Sequence, residues 1–135
     1  MFDYIFESIK EAVLTVVEII VAILNHAISL MGDIINWFKE KYKAARRYIV
    51  YVITAVKLKR TLKGKSLSDL LGNEDVRTIS IPDLYGDDQK FEDGVVEVVE
   101  DTQTGKIDSL RVIGGPGVDN DLKAAMKDVE VIKLS

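Results

Sequence analysis

Polar residues recur every three or four positions through the otherwise apolar first third of the chain. They are Glu7, Glu11, Thr15, Glu18, Asn25, Ser29, Asp33, Asn36, Glu40, Lys43 and Arg47, with Ala22 in the place between Glu18 and Asn25. Such steps are the period of an α-helix, and no proline interrupts residues 2–63. The pattern predicts one continuous helix from about residue 3 to the low 60s. The alternative is a break, in which Gly32 ends one helix and Asp33 caps the next.

Residues 12–31 are almost entirely apolar on the remaining faces of this predicted helix. The window is as long as the span of about 20 residues that crosses a bilayer. Residues 66–135 would form a domain only roughly 30 Å across, which is too small to cover such a rod. Lipid, further copies of the chain or another protein must therefore cover it. The predicted membrane or oligomer contacts are Val13, Val16, Val17, Ile20, Ile23, Leu24, Ile28 and Met31.

The polar stripe of this helix is defined by Glu11, Glu18, Asn25 and Asp33. A carboxylate in hydrocarbon needs a partner, so in lipid the stripe would face a neighbouring helix or a water-filled lumen. In water it would be the solvated face. Both cases predict self-association or packing into a larger assembly. The one histidine, His26, is expected to be packed or hydrogen-bonded between helices rather than to serve as a ligand or proton relay.

Charge is strongly segregated along the chain. Residues 1–36 carry five acids and one base, residues 37–65 carry one acid and ten bases, and residues 66–135 carry sixteen acids and seven bases. A single span with this flanking charge would leave its C-terminal side in the cytoplasm. The basic part predicts an amphipathic helix that faces lipid headgroups, nucleic-acid phosphates or simply solvent. Its anion-facing residues are Lys39, Lys43, Arg46, Arg47, Lys57, Lys59 and Arg60.

The pattern changes after residue 65. Ser66 and Asp69 are spaced as in a capping box, which predicts a short helix through residue 71. Alternating positions predict strands over residues 76–81, 95–100 and 106–113, and the last two are joined by a hairpin turn ending at Gly105. A helix over residues 120–127 and a strand over 129–134 follow. The predicted fold class is α+β, with a long N-terminal helix (1–65) followed by a small acidic β-β-β-α-β domain (66–135).

Composition removes several kinds of chemistry. There are no cysteines and only one histidine, which excludes disulfides, thiolate zinc sites and histidine-rich metal centres. The segment Gly64-Lys65-Ser66 lacks the upstream glycine of a phosphate-binding loop, because Lys59 stands there. The acids of residues 83–93 do not follow the calcium-loop spacing. Glu97, Asp108 and Glu130, together with Lys106, could imitate a metal-dependent nuclease centre. Alternating strands always place some acids on one face, so a coincidental arrangement is favoured over a nuclease site.

These observations predict a non-enzymatic structural or assembly protein of virion, pilus-like or secretion type. It would need no cofactor, metal or small-molecule substrate, and its partners would be copies of itself, other assembly subunits and lipid, within a membrane or large assembly. One alternative is a soluble cytoplasmic binding module of immunity or adaptor type, with residues 1–63 folded back as a helical hairpin. The other is a protein that bridges nucleic acids through the basic helix.

Overall fold

Five strands form a single sheet in the part of the chain that the structure describes. The computed structural model describes residues 18–43, 45–61 and 94–134. Its strands are β1 (Glu18–Ile23), β2 (Tyr48–Thr54), β3 (Val95–Asp101), β4 (Lys106–Gly114) and β5 (Val131–Leu134). They form one sheet in the order β1-β4-β3-β2-β5. Strand β1 is parallel to β4, and every other neighbouring pair is antiparallel. The fold is therefore mixed α+β.

Short helices connect and cover the strands. A π-helix (Leu30–Ile35) continues directly into α1 (Asn36–Lys41), and residues 30–41 are called the helical cover below. A 3-10 turn (Ala45–Arg47) precedes β2, α2 (Ala55–Thr61) follows it, and α3 (Asn120–Ala125) follows β4. The helix α2 begins at once after the strand because the buried Thr54 hydroxyl accepts a hydrogen bond from the Lys57 amide at 3.1 Å. Such a contact is an N-cap.

Both faces of the central strands are buried. One face packs beneath the helical cover and α3, through Val50, Val52, Val95, Val99 and Ile113 against Ile34, Trp37, Phe38, Leu122 and Met126. The other packs with Ala55 and Leu58 of α2, through Tyr51, Ile53, Val96, Val98, Leu110 and Val112. Successive residues of a strand point to opposite faces. Two buried faces therefore require an unbroken apolar run in β2, rather than alternation.

The prediction of one continuous N-terminal helix is wrong for the described part of residues 18–61. Strands β1 and β2 lie in that range, and residues 1–17 are outside the described residues. Both strands are rich in β-branched side chains, which favour extended backbone. Short apolar runs cannot be assigned to helix or strand by periodicity alone. The predicted helical hairpin of the soluble alternative is wrong over the same range.

The alternative break at Gly32 is also wrong. The helical cover runs through Gly32, and its N-cap is Ser29, whose hydroxyl accepts from the Gly32 amide at 3.0 Å. Before Ser29 the chain is held in a non-helical path along the turn after β4. The Ile28 amide donates to the Gly117 carbonyl at 2.9 Å, and the Asp119 amide donates to the Ile28 carbonyl at 2.7 Å.

The second half of the chain follows the sequence prediction where the structure describes it. The hairpin of β3 and β4 turns through residues 102–105, and Gly105 has a φ of 72°, which glycine adopts without strain. The predicted last helix and last strand are confirmed as α3 and β5. The helix through residue 71, the strand over 76–81 and the acidic loop over 83–93 lie outside the described residues. Strands from both predicted domains, residues 1–65 and residues 66–135, belong to the same sheet.

Candidate functional site

Among the described strands, β1 forms one edge of the sheet, and it is unusually apolar. Its sequence is Glu-Ile-Ile-Val-Ala-Ile, and β4 is the strand that pairs with it among the described residues. Four of its side chains are half-buried, and Ile23 is 63% exposed. The edge therefore presents aliphatic side chains together with backbone hydrogen-bonding groups.

The hydrogen bonds to β4 fix which backbone groups of β1 point outward. The Leu24 amide donates to the Gly114 carbonyl at 2.8 Å, so it points toward β4. Backbone direction alternates along a strand. The N–H and C=O groups of Ile19, Val21 and Ile23 therefore point away from β4, at the outer edge of the sheet.

A buried, hydrogen-bonded Glu–Arg pair lies on the sheet face beneath the helical cover. Glu97 of β3 and Arg111 of β4 are direct cross-strand partners, and Arg111 Nη1 donates to Glu97 Oε1 at 3.1 Å. Glu97 is fully buried, and its second oxygen, Oε2, has no hydrogen-bond partner. Burial raises the pKa of Glu97 to about 8, although the nearby Arg111 acts in the opposite direction. The carboxyl group is therefore protonated in much of the neutral range.

Arg111 also attaches the helical cover to the sheet. Its Nη1 donates to the Asp33 carbonyl at 2.9 Å, and its guanidinium lies 4.6 Å from the centre of the Trp37 ring. Stacking of arginine on an indole ring adds a cation–π attraction. Arg111 is paired with Ile20 of β1 in the sheet register. One side chain thus joins β3, β4 and the cover.

The start of the cover is held by α3. The carboxylate of Asp121 accepts from the Leu30 amide at 3.0 Å and from the Met31 amide at 3.1 Å. These are two of the amides that the first turn of a helix leaves without internal partners. We expect Asp121→Ala to lower the free energy of unfolding by about 1–2 kcal/mol, as the loss of a cap does. Chemical denaturation checks this, with Asp128→Ala, an exposed acid in the following turn, as the control that should change little.

His26 forms a local polar cluster before the cover. Its Nε2 lies 2.8 Å from Asp33 Oδ1, and the other Asp33 oxygen accepts from the Ser29 amide at 2.8 Å. Burial acts to raise the pKa of Asp33, but the hydrogen bonds from His26 and Ser29 outweigh it, so that the pKa lies below its ordinary value. His26 is therefore hydrogen-bonded, but it is exposed and its partners lie in its own segment rather than on another helix.

The far end of the cover is fixed by Tyr42. Its hydroxyl donates to Asp108 Oδ2 at 2.6 Å and lies 2.8 Å from Ser109 Oγ, and its ring stacks on Phe38 at 5.4 Å between centroids. Burial and the neighbouring Asp108 raise the pKa of Tyr42 above its ordinary value. The hydroxyl therefore stays protonated and keeps its role as a donor.

The predicted contact residues do not share one helical surface. Ile20 and Ile23 are in β1, Ile28 is buried beneath the cover beside Leu24, and Met31 is exposed in the π-helix. The others, Val13, Val16 and Val17, lie outside the described residues. The single apolar helix face is therefore wrong for residues 20–31.

The polar stripe is likewise dispersed. Glu18 forms an ion pair with Lys41, Asn25 contacts His26, and Asp33 belongs to the cluster described above. Glu11 lies outside the described residues. Asn25 and Asp33 share the cluster of His26, whereas Glu18 contacts Lys41 in the helical cover. The described positions therefore do not form one stripe within residues 18–33.

The predicted basic helix is replaced by two groups of bases at opposite ends of β2. Lys39, Lys43, Arg46 and Arg47 precede the strand, and Lys57, Lys59 and Arg60 follow it. The seven residues of β2 alone span roughly 20 Å. Arg47 forms two hydrogen bonds with Asp101, at 3.0 and 2.7 Å, and Arg60 pairs with Glu130. A continuous basic face is therefore wrong.

The disfavoured nuclease-like arrangement is not assembled. Glu97 pairs with Arg111, Asp108 accepts from Tyr42, and Glu130 pairs with Arg60. Across residues 18–43, 45–61 and 94–134, no three histidine or carboxylate side chains come together as metal ligands. No helix within the same ranges is both long and apolar enough to span a bilayer.

Sequence reasoning singled out Glu97 but missed its pairing with Arg111. The one available signal was an acid amid the valines of residues 95–99, which places it on a buried strand.

The fold and site define a mixed α+β protein with a five-stranded sheet, a buried Glu–Arg pair and an apolar edge strand. Comparisons of the chain with protein-family models, with curated proteins and with solved structures found no match.

Proposed function

We propose that this chain is a non-enzymatic assembly protein that associates with copies of itself through the outer edge of β1. The observation that supports the proposal is the apolar outer edge of that strand. It pairs with β4 along one side, its backbone groups at three positions point outward, and Ile23 at its end is 63% exposed. An exposed apolar edge is a template for another strand.

The two edges of the sheet differ in how they are protected. Strand β5 is only four residues long and carries the exposed Lys133. Short length and an edge lysine are ordinary devices against unwanted pairing. The charged residue of β1 is Glu18, which forms an ion pair with Lys41, and the five residues that follow it in the strand are uncharged. The contrast within one sheet favours β1 as the edge used for association.

The helical cover gives this edge a fixed position. Arg111 ties the cover to β3 and β4, and Lys41 of the cover holds the start of β1 through Glu18. A strand that is already ordered loses little further entropy when a partner pairs with it. The fixed edge therefore supports association between preformed surfaces.

Lipid and nucleic acid remain predicted partners that no specific contact favours. The bases lie in two groups, and Arg47 and Arg60 of these groups are ion-paired with acids. The sequence predicted self-association from the apolar surface of a continuous helix, whereas the outer edge of β1 supports the same kind of partner on a different observation.

We expect Ile23→Lys to weaken self-association at least about tenfold, because a charge at the edge would have to be desolvated when a second strand pairs there. The side chain is mostly exposed in the folded chain, so the variant should keep its stability. Light scattering coupled to size exclusion, over a concentration series of the full chain, measures the change.

The matched control is Val129→Lys, which alters another exposed aliphatic residue, 45% exposed, away from β1. It should associate as the unaltered chain does. A chain that remains monomeric at every concentration would contradict the proposal, as would equal effects of the two substitutions.

A further inference from the structure

We propose that two copies of the chain pair antiparallel along β1, with a two-fold axis at Val21, which doubles the sheet into one continuous layer. The inference rests on the proposed function and adds the geometry of the contact. It follows from three features of β1: the direction of its backbone groups, the number of outward positions and the order of its side chains.

The direction of the backbone groups restricts the allowed registers. Ile19, Val21 and Ile23 point their N–H and C=O groups outward, as the Leu24 bond to Gly114 requires. In an antiparallel pair, the residues that exchange hydrogen bonds must both point toward the partner. An outward residue of one copy must therefore face an outward residue of the other.

One register uses all three outward residues of the strand in each copy. Val21 faces Val21 of the second copy, and Ile19 faces Ile23 in both directions. A slip by two residues either way leaves one outward residue without a partner inside the strand Glu18–Ile23. Since each backbone hydrogen bond contributes to pairing, the register centred on Val21 is favoured.

The side chains agree with this register. Ile19 faces Ile23 and Val21 faces itself, so β-branched residues meet on one face, a combination that stabilises cross-strand pairs. Ile20 faces Ala22 on the other face, so a large side chain meets a small one. Glu18 lies at the end of the strand, opposite Leu24 of the second copy, and like charges do not meet.

A two-fold pairing also closes the assembly. Each copy uses the same surface, so an antiparallel contact yields a dimer with no further β1 edge to extend. Parallel pairing of the same edges would not have this symmetry. The contact is therefore an isologous one in which β1 becomes an interior strand flanked by β4 and by its own copy.

Disulfide trapping tests the register, because the chain has no cysteine of its own. Directly opposed hydrogen-bonded residues have Cα atoms about 5.5 Å apart, within the roughly 4.4–6.8 Å that a disulfide spans. We expect Val21→Cys to give a covalent dimer under mild oxidation. Ile19→Cys and Ile23→Cys should not, because each is displaced from its own copy by four residues, about 14 Å. The double variant Ile19→Cys/Ile23→Cys should cross-link again.

The outcomes separate the two proposals when the same samples are sized without oxidant. If the Ile19→Cys or Ile23→Cys single variant cross-links as readily as Val21→Cys, the antiparallel register centred on Val21 is wrong and this inference is overturned. A dimer by sizing with no cross-link at position 21 would overturn the register but leave self-association standing. Variants and unaltered chain that are all monomeric would overturn both.

Discussion

Replacing Glu97 with glutamine is expected to remove most of the pH dependence of stability between pH 4.5 and 8. The pKa of Glu97 is about 8 in the folded chain, against an ordinary value of 4.5, because the carboxyl group is buried. In this window the folded chain keeps a proton that the unfolded chain has lost. The stabilisation is complete below pH 4.5 and is lost as the pH rises to about 8.

The expected size of this effect is large. Each pH unit within the window corresponds to about 1.4 kcal/mol, so the loss across it amounts to several kcal/mol. Glutamine has no proton to lose, and its amide oxygen can still accept from Arg111. Glu97→Gln should therefore match the unaltered chain at pH 4.5 and exceed its stability above pH 8.

Denaturant unfolding at a series of pH values measures the difference. Glu40→Gln, which changes an exposed acid of the helical cover, is the matched control and should leave the slope unchanged. Asp33 and Asp101 have lowered pKa values, so their contributions are lost only at pH values below this window. A slope that is the same in the Glu97→Gln variant and the unaltered chain would contradict the buried, protonated carboxyl group.

Replacing Arg111 with methionine is expected to cost about 3–5 kcal/mol at pH values well above 8, where Glu97 of the unaltered chain carries its charge. Removing one partner of a buried pair leaves the other uncompensated. The substitution also removes the hydrogen bond to the Asp33 carbonyl and the contact with Trp37. These two losses persist at low pH, so the variant should remain weakened there by a smaller amount.

The double variant Glu97→Leu/Arg111→Met should recover most of this loss, because an apolar pair of similar volume needs no buried charge. The recovery at high pH measures the part due to the uncompensated carboxylate. Lys106→Met, an exposed base at the start of β4, serves as the control. If the double variant is no more stable than Arg111→Met at pH values well above 8, the charge of Glu97 is not the cause of the loss.

The buried pair shows how far sequence reasoning reaches into the site. Alternation places Glu97 on a strand among buried valines, which the structure confirms. Its partner is fourteen residues away on β4, and the register that brings Arg111 opposite depends on the bulge between Val99 and Glu100. A local irregularity of this kind leaves no clear mark in the polar pattern.

The N-terminal half shows the reverse case, in which a strong pattern was misleading. Residues 48–54 are apolar on both faces, because β2 lies between β3 and β5 with a core on each side. A strand buried on both faces has no alternation, and its aliphatic run fits a helix equally well. The β-branched and aromatic content of this run was the available signal for a strand.

The sequence by itself determined the elements whose signals are local: the hairpin with Gly105 at a positive φ, the helix capped by Asp119, and the last strand. Only the tertiary structure decided that residues 18–23 and 48–54 are strands. Their state depends on which strands pair with them and which surfaces cover them. The paired strands come from residues 95–134, far along the chain, and the covering side chains come partly from the helical cover and α2. Local propensity is worth a fraction of a kcal/mol per residue, whereas burial of a large aliphatic side chain is worth about 1.5–3 kcal/mol. Packing therefore determines the structure where the two disagree.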